Sequence, residues 1–213
     1  MGKYILGCAG LAIVGIIILV IVVIAGWADS YNNLVSLKQG VDSQWAEVEN
    51  QYERRADLTQ NLVNTVAGAA NFEKSTLIAV TDARASVGQV KIDRSQAPTD
   101  QAQLQQYDQA QGNLSSALSR LLVVSENYPD LKSNQNFLDL QAQLEGTENR
   151  IATARNRFNE AARAYNTAVQ GFFTSFIATH YGFTTRPYFQ ARQGSDVAPV
   201  VNFDSMTNAA PAH

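Results

Sequence analysis

The chain has 213 residues, with 16 lysines and arginines against 19 aspartates and glutamates and a formal charge of −3. Basic residues this sparse and scattered leave no electrostatic footprint for nucleic acid. Cys8 is the only cysteine, so no intrachain disulfide forms and the body has no thiol for catalysis or metal binding.

The first predicted element is the run from Ile5 to Trp27, ILGCAGLAIVGIIILVIVVIAGW, which contains no charged residue. As a helix rising ~1.5 Å per residue it reaches ~35 Å, enough to cross a ~30 Å hydrocarbon core. Tyr4 before it and Trp27 and Tyr31 after it are placed as interface anchors, because amphipathic rings favour the headgroup level. A buried core helix would not stay apolar on every face over six turns. A cleaved signal peptide would have a shorter apolar region, of about 7–15 residues. Ile5-Leu6-Gly7-Cys8 has the look of a lipobox, but most of the apolar residues follow the cysteine rather than precede it. Residues 1–28 therefore read as an uncleaved anchor that meets the lipid bilayer through residues 5–27. Lys3 lies before the span and Lys38 is the first basic residue after it, which favours an N-terminus inside and a body outside.

From Tyr31 the apolar residues Leu34, Val41, Trp45, Val48, Tyr52, Leu62, Val66 and Ala69 recur at helical spacing. Proline is absent from residues 1–97, so this helix can continue directly from the span, with Gly68 the natural place for a kink or a turn. A second helix carries Leu77, Ile78, Val80, Ala83 and Val87, and residues 88–99 form a polar connection. Asp100, with Gln103 in a loose capping box, opens a third helix whose stripe is Leu104, Tyr107, Gln111, Leu114, Leu118, Leu121, Ser125 and Tyr128. Pro129 ends it.

Ser133 or Asn134 caps the last helix. Its stripe runs Phe137, Leu140, Leu144, Thr147, Ile151, Ala154, Phe158, Ala161, Tyr165, Val169, Phe172 and Phe176, and Gly182 supplies a C-terminal stop. No convincing strand pattern occurs in the body. The expected architecture is all-α: an N-terminal transmembrane helix, then an antiparallel four-helix bundle of long helices over residues 29–185. Residues 186–213 read as a short aromatic hook around Pro187-Tyr188-Phe189 followed by a mostly disordered tail.

The body offers little chemistry. His180 and His213 are the only histidines, and neither completes the Glu-x-x-His pair of a di-iron bundle or a zinc motif. P-loop and G-x-S-x-G patterns are missing. No catalytic, metal-binding or cofactor-binding residue is assigned. Two charged groups stand out instead: Glu53-Arg54-Arg55-Ala56-Asp57, and Glu145, Glu148, Arg150, Arg155 and Arg157 on the last helix. They read either as solvated i, i+4 pairs or as inter-helix contacts in which Arg54 or Arg55 reaches a carboxylate on the last helix and sets register.

Tyr31-Asn32-x-Leu34-Val35, Trp45 and Arg54-Arg55-x-Asp57-Leu58-x-x-Asn61-Leu62-Val63 resemble the opening signature of the LemA family. Ala117-Leu118-Ser119-Arg120-Leu121-Leu122, Glu126-x-Tyr128-Pro129-Asp130-Leu131-Lys132 and Asn136-Phe137 continue it. Leu144-Glu145-Gly146-Thr147-Glu148-Asn149-Arg150-Ile151, Ala154-Arg155-x-x-Phe158-Asn159, Tyr165-Asn166 and Tyr188-Phe189 complete it. Two positions depart from the pattern: Gln60 and Phe173 stand where the family commonly has proline, which favours a straighter first helix and an unbroken last one.

The resemblance implies a single-pass protein of the bacterial inner membrane, with no established enzymatic activity or cofactor. Relatives that take part in magnetosome membrane formation suggest a role in organising membranes. The expected function is a scaffold or self-assembling interaction module, with a homo-oligomer or other membrane proteins as partners and no nucleic acid. The rival is a sensor or adaptor that binds a ligand or partner between its helices. Arg54, Arg55, Asp57, Asn61, Glu145, Glu148, Arg150 and Arg155 are the candidate inter-helix or interface residues.

Overall fold

The computed structural model describes residues 2–69 and 72–190, with side chains from Ile13 onward. Its elements are α1 (Gly2–Ala67), α2 (Lys74–Gln89), α3 (Gln101–Ser125), α4 (Pro129–Lys132), α5 (Gln135–Gln170) and α6 (Thr174–Tyr181), and no strand occurs among the described residues. α1 is one unbroken helix. From Ile13 to Ile24 its large apolar side chains are exposed on every face. From Leu34 onward a single stripe is buried, through Val41, Trp45, Val48, Tyr52, Leu62 and Val66. The change from an all-round apolar surface to one apolar stripe is what separates a lipid-facing helix from a core-facing one. α1 ends at Ala67, so Gly68 begins the turn that the glycine allowed.

α1, α2, α3 and α5 form the antiparallel bundle, with α1 packed closely on α5 and α2 on α3. Ring and charge contacts fix the register of the first pair: Trp45 meets Phe158 at 5.7 Å between ring centroids, and Gln51 meets Arg150 at 3.2 Å. The core divides along the bundle axis. Around Trp45, Tyr107, Phe158 and Phe189 it is aromatic. Farther from the span it is aliphatic, around Leu62, Val80, Leu118, Leu121 and Leu144, with Phe137 among them.

The helix ends follow local chemistry. Asp100 accepts the Ala102 N–H at 2.8 Å, but Gln103 does not close a capping box; its amide donates to the Lys91 carbonyl and ties the connection onto α3. Asn134 caps α5 by accepting the Phe137 N–H at 3.2 Å. Pro129 opens the short α4 at a position where its missing N–H costs nothing.

The unbroken last helix expected from Phe173 is not found. α5 stops at Gln170, and the Thr174 hydroxyl donates to the Ala168 carbonyl and to the Gly171 carbonyl at 3.2 Å. A Cβ on residue 171 would lie 2.6 Å from that hydroxyl, so any other residue there would make the Thr174 side chain shift. The periodicity restarts beyond it. Phe172 and Phe176, expected on the buried stripe, are 77% and 64% exposed, and Ile177 and Ala178 are buried in their place. α6 ends at Gly182, whose φ of 74° suits a residue without a side chain.

Residues 183–190 then run back along α5. Asn159 donates to the Phe189 carbonyl and accepts the Phe189 N–H, both at 2.9 Å. Asn166 does the same for Arg186, at 2.8 and 2.7 Å. Seven helical residues cover ~10 Å, and three extended residues cover about the same length, so two amides one heptad apart hold an extended segment in fixed register. Phe189 is thereby inserted beside Trp45, at 6.2 Å and nearly parallel, and against Phe158 at 5.5 Å. The tail expected at 191–213 lies outside the described residues.

Replacing Asn159 by Asp keeps its shape but turns an acceptor oxygen toward the Phe189 carbonyl. Asn159→Asp is expected to lower stability by about 1–3 kcal/mol, read as a fall in the Tm of the full-length chain in detergent. An unchanged Tm would show that the hook contributes nothing to the fold.

Candidate functional site

The middle of the bundle holds a buried cation. Arg55 occupies a stripe position on α1, one turn after Tyr52, and is 2% exposed. Its Nη1 donates to Ser115 Oγ on α3 at 2.7 Å and to Glu148 Oε1 on α5 at 2.9 Å. Its Nη2 donates to the Gln111 side-chain and main-chain oxygens of α3, while the Tyr52 ring lies 5.1 Å from the guanidinium. One planar fork therefore engages two other helices, a geometry that an ammonium would not reproduce. Glu148 is 43% exposed, so the carboxylate keeps contact with water while the guanidinium does not.

Beside this layer a cleft of about 380 Å³ opens between α1, α2 and α3 and the connection after α2. Glu49, Tyr52, Tyr107 and Gln111 line its inner side, with Arg84 and Arg94 at its rim. Glu49 is buried, and its Oε2 lies 3.5 Å from Arg94 Nε. Glu49 Oε1 and the Tyr52 hydroxyl are buried without a hydrogen-bond partner. Burial holds the Glu49 carboxyl above the usual carboxylate range, against the opposing pull of the Tyr107 hydroxyl and Arg94. Burial also pushes the Tyr52 phenol up to about 12, and burial together with the nearby Glu49 raises Tyr107. A carboxylate among phenols can hydrogen-bond a polar guest. No group of three or more His, Cys, Asp or Glu side chains among the described residues is placed to hold a metal ion.

The other expected residues fall into two sets. Arg150 bridges to Gln51 on α1 and donates to Thr147 at 2.7 Å. Arg155 reaches Asp108 on α3 at 2.8 Å and lies over the Phe189 ring at 4.4 Å. Arg54, Asp57, Asn61 and Glu145 are exposed and have no inter-helix side-chain partner among the described residues. Of the expected membrane anchors, Trp27 is exposed. Tyr31 is half-buried, 4.7 Å from the Tyr181 ring and 5.8 Å from Phe183. The side chain of Tyr4 lies outside the described residues.

The sequence reading missed a second buried cation. Arg186, in the hook, donates to the Ala97 carbonyl at 2.6 Å and lies 3.7 Å from Asp42, and Asp42 accepts the Ala97 N–H at 3.0 Å. The peptide flanking Pro98 is thus gripped on both sides, by α1 and by the hook. Arg186 next to Pro187 in an otherwise uncharged hook was the available signal.

A family model described as the LemA family matches residues 44–203. The magnetosome protein MamQ 2 of Paramagnetospirillum magneticum is 27% identical over 189 residues, spanning 80% of this chain and 68% of that protein. MamQ of Magnetospirillum gryphiswaldense is 26% identical over the same length and shares. Protein LemA of Metamycoplasma hominis is 24% identical over 163 residues, 76% of this chain and 69% of its own.

Truncating Arg55 leaves the facing groups of α3 and α5 unpaired in the core. Arg55→Ala is expected to cost about 3 kcal/mol, or roughly 6–12 °C in Tm, whereas Lys74→Ala, on an exposed position, should change it little. Equal shifts would show that Arg55 is an ordinary surface-type charge.

The raised Glu49 carboxyl sets a pH dependence of the opposite kind. The folded state holds this proton more tightly than the unfolded chain, so its contribution is fully present below the usual carboxylate range and is lost as pH rises through the raised value. Glu49→Gln is expected to raise Tm at pH 7 and to flatten its decline above the usual carboxylate range. A lower Tm at pH 7 with an unchanged slope would overturn this.

Proposed function

The chain belongs to the LemA family, and we propose that it is a non-enzymatic single-pass membrane protein whose bundle serves as a scaffold or self-assembling interaction module. The supporting observation is the continuity of α1, which runs without a break through Ala67 from an apolar stretch long enough to cross a membrane. Residues 28–67 of that helix span ~60 Å. The far end of the bundle is therefore carried at a fixed distance along the axis of the span, as a platform for other chains requires. That the MamQ relatives are magnetosome proteins supports a role at a membrane. Lys3 before the span favours a cytoplasmic N-terminus and a body on the outer side of the inner membrane.

One observation favours the sensor or adaptor reading: the cleft at Glu49 and Tyr52 contains buried polar atoms without partners. A polar ligand or partner side chain seated there would satisfy them.

The two readings differ in assembly. In mild detergent the full-length chain is expected to show the mass of a defined homo-oligomer, and a chain starting at Asp29 shows whether the bundle or the span drives it. A full-length monomer at all concentrations would remove the self-assembling scaffold and leave the adaptor.

A further inference from the structure

Phe172 and Phe173, both 77% exposed, are the most exposed large apolar side chains among the described residues, and Phe176 is 64% exposed. They form one face. The Phe172 ring meets Phe173 edge-on at 5.0 Å and Phe176 at 6.3 Å. The face is a consequence of the turn at Gly171, which swings these rings out of the bundle and buries Ile177 and Ala178 instead.

Its position along the bundle is set by the α1–α5 register. Trp45 lies opposite Phe158 and Gln51 opposite Arg150. Continuing that antiparallel register brings residues 170–173 level with the start of the bundle segment of α1, one turn beyond Trp27. Tyr181, at the other end of α6, confirms the level by packing on Tyr31 at 4.7 Å. The phenylalanines thus sit where α1 leaves its apolar run. The same end of the molecule is almost free of charge. Residues 164–185 contain no Asp, Glu, Lys or Arg, and residues 4–28 contain none either.

We propose that Phe172, Phe173 and Phe176 insert into the interfacial layer of the bilayer that holds the span, giving the bundle a second membrane contact. This rests on the reading of α1 as a membrane span. The level of this face, beside the point where the exposed apolar surface of α1 ends and with Asp29 the nearest charge on that helix, selects lipid over a soluble partner. A charge-free aromatic face at the headgroup level can enter that layer without carrying an ionised group in with it. Two contacts at different distances from the α1 axis set the tilt of the bundle, which one helix alone leaves free.

The test uses the full-length chain with Cys8→Ser, carrying one cysteine at a time and labelled with a nitrobenzoxadiazole dye. It is reconstituted in phosphatidylcholine–phosphatidylglycerol vesicles containing lipids spin-labelled just below the headgroup. Phe173→Cys and Phe176→Cys probe the proposed contact, Val20→Cys the span, and Val123→Cys the far end of the bundle. Quenching at 173 and 176 is expected to be several-fold greater than at 123, together with a blue-shifted emission. If 20 is quenched while 173 and 176 resemble 123, the proposal is overturned and the span stands. If 20 is not quenched, the span reading fails and the proposal with it. Blue-shifted emission at 173 and 176 without quenching, lost on dilution into excess lipid, would instead show that a second copy covers the face and would equally overturn the proposal.

Discussion

Arg55 carries a permanent charge into the middle of the bundle, and the neighbouring helices are arranged around that demand. A buried guanidinium needs acceptors for its donors, and here both terminal nitrogens find them on α3 and α5, while Nε is buried without a partner. An apolar stripe permits helices to slide by a turn with little change in contact. A fork that must find Ser115, Gln111 and Glu148 together permits one arrangement of three helices. The aromatic layer below it, with Trp45, Tyr107 and Phe158, is packed to that arrangement.

The hook repeats this logic on a smaller scale. Main-chain groups at 186 and 189 would have no sheet to join, and Asn159 and Asn166 supply helix-borne amides in its place. Arg186 then binds the connection before α3 through the Ala97 carbonyl, and Asp42 grips the same peptide from α1. Segments far apart in the chain are closed onto one another near the end of the bundle that adjoins the span. The opposite end is held mainly by aliphatic side chains, with Phe137 and the Phe72–Tyr128 ring pair at 4.8 Å among them.

Much of this was legible in the chain. The all-α architecture followed from stripes at three and four residues, and the continuous first helix from the absence of proline before Pro98. Arg55 was legible only together with Arg54, in a segment carrying both signs, and the sequence left open which of the two reaches the last helix. Gln111 and Ser115 were hidden among many similar amides and hydroxyls, since only the third dimension selects which of them faces a cation. The break after Gln170 was hidden for a different reason. Phe172 and Phe176 satisfy the helical period, and the event that ends the helix is a threonine hydroxyl folding back over a glycine. Glu49 escaped notice because a carboxylate beside Val48 looks like a solvated neighbour of the stripe.

The unbroken passage of α1 from its apolar run to Leu34 makes chain length between them equivalent to an angle. Each residue of an α-helix advances ~1.5 Å and turns ~100°. One residue inserted or deleted between Trp27 and Leu34 would therefore swing the whole bundle by more than a quarter turn about the helix axis, with hardly any change in height. A flexible linker would absorb such a change; this helix transmits it. That short stretch thus acts as a compass bearing for the bundle, setting which side of it stands above each face of the apolar run.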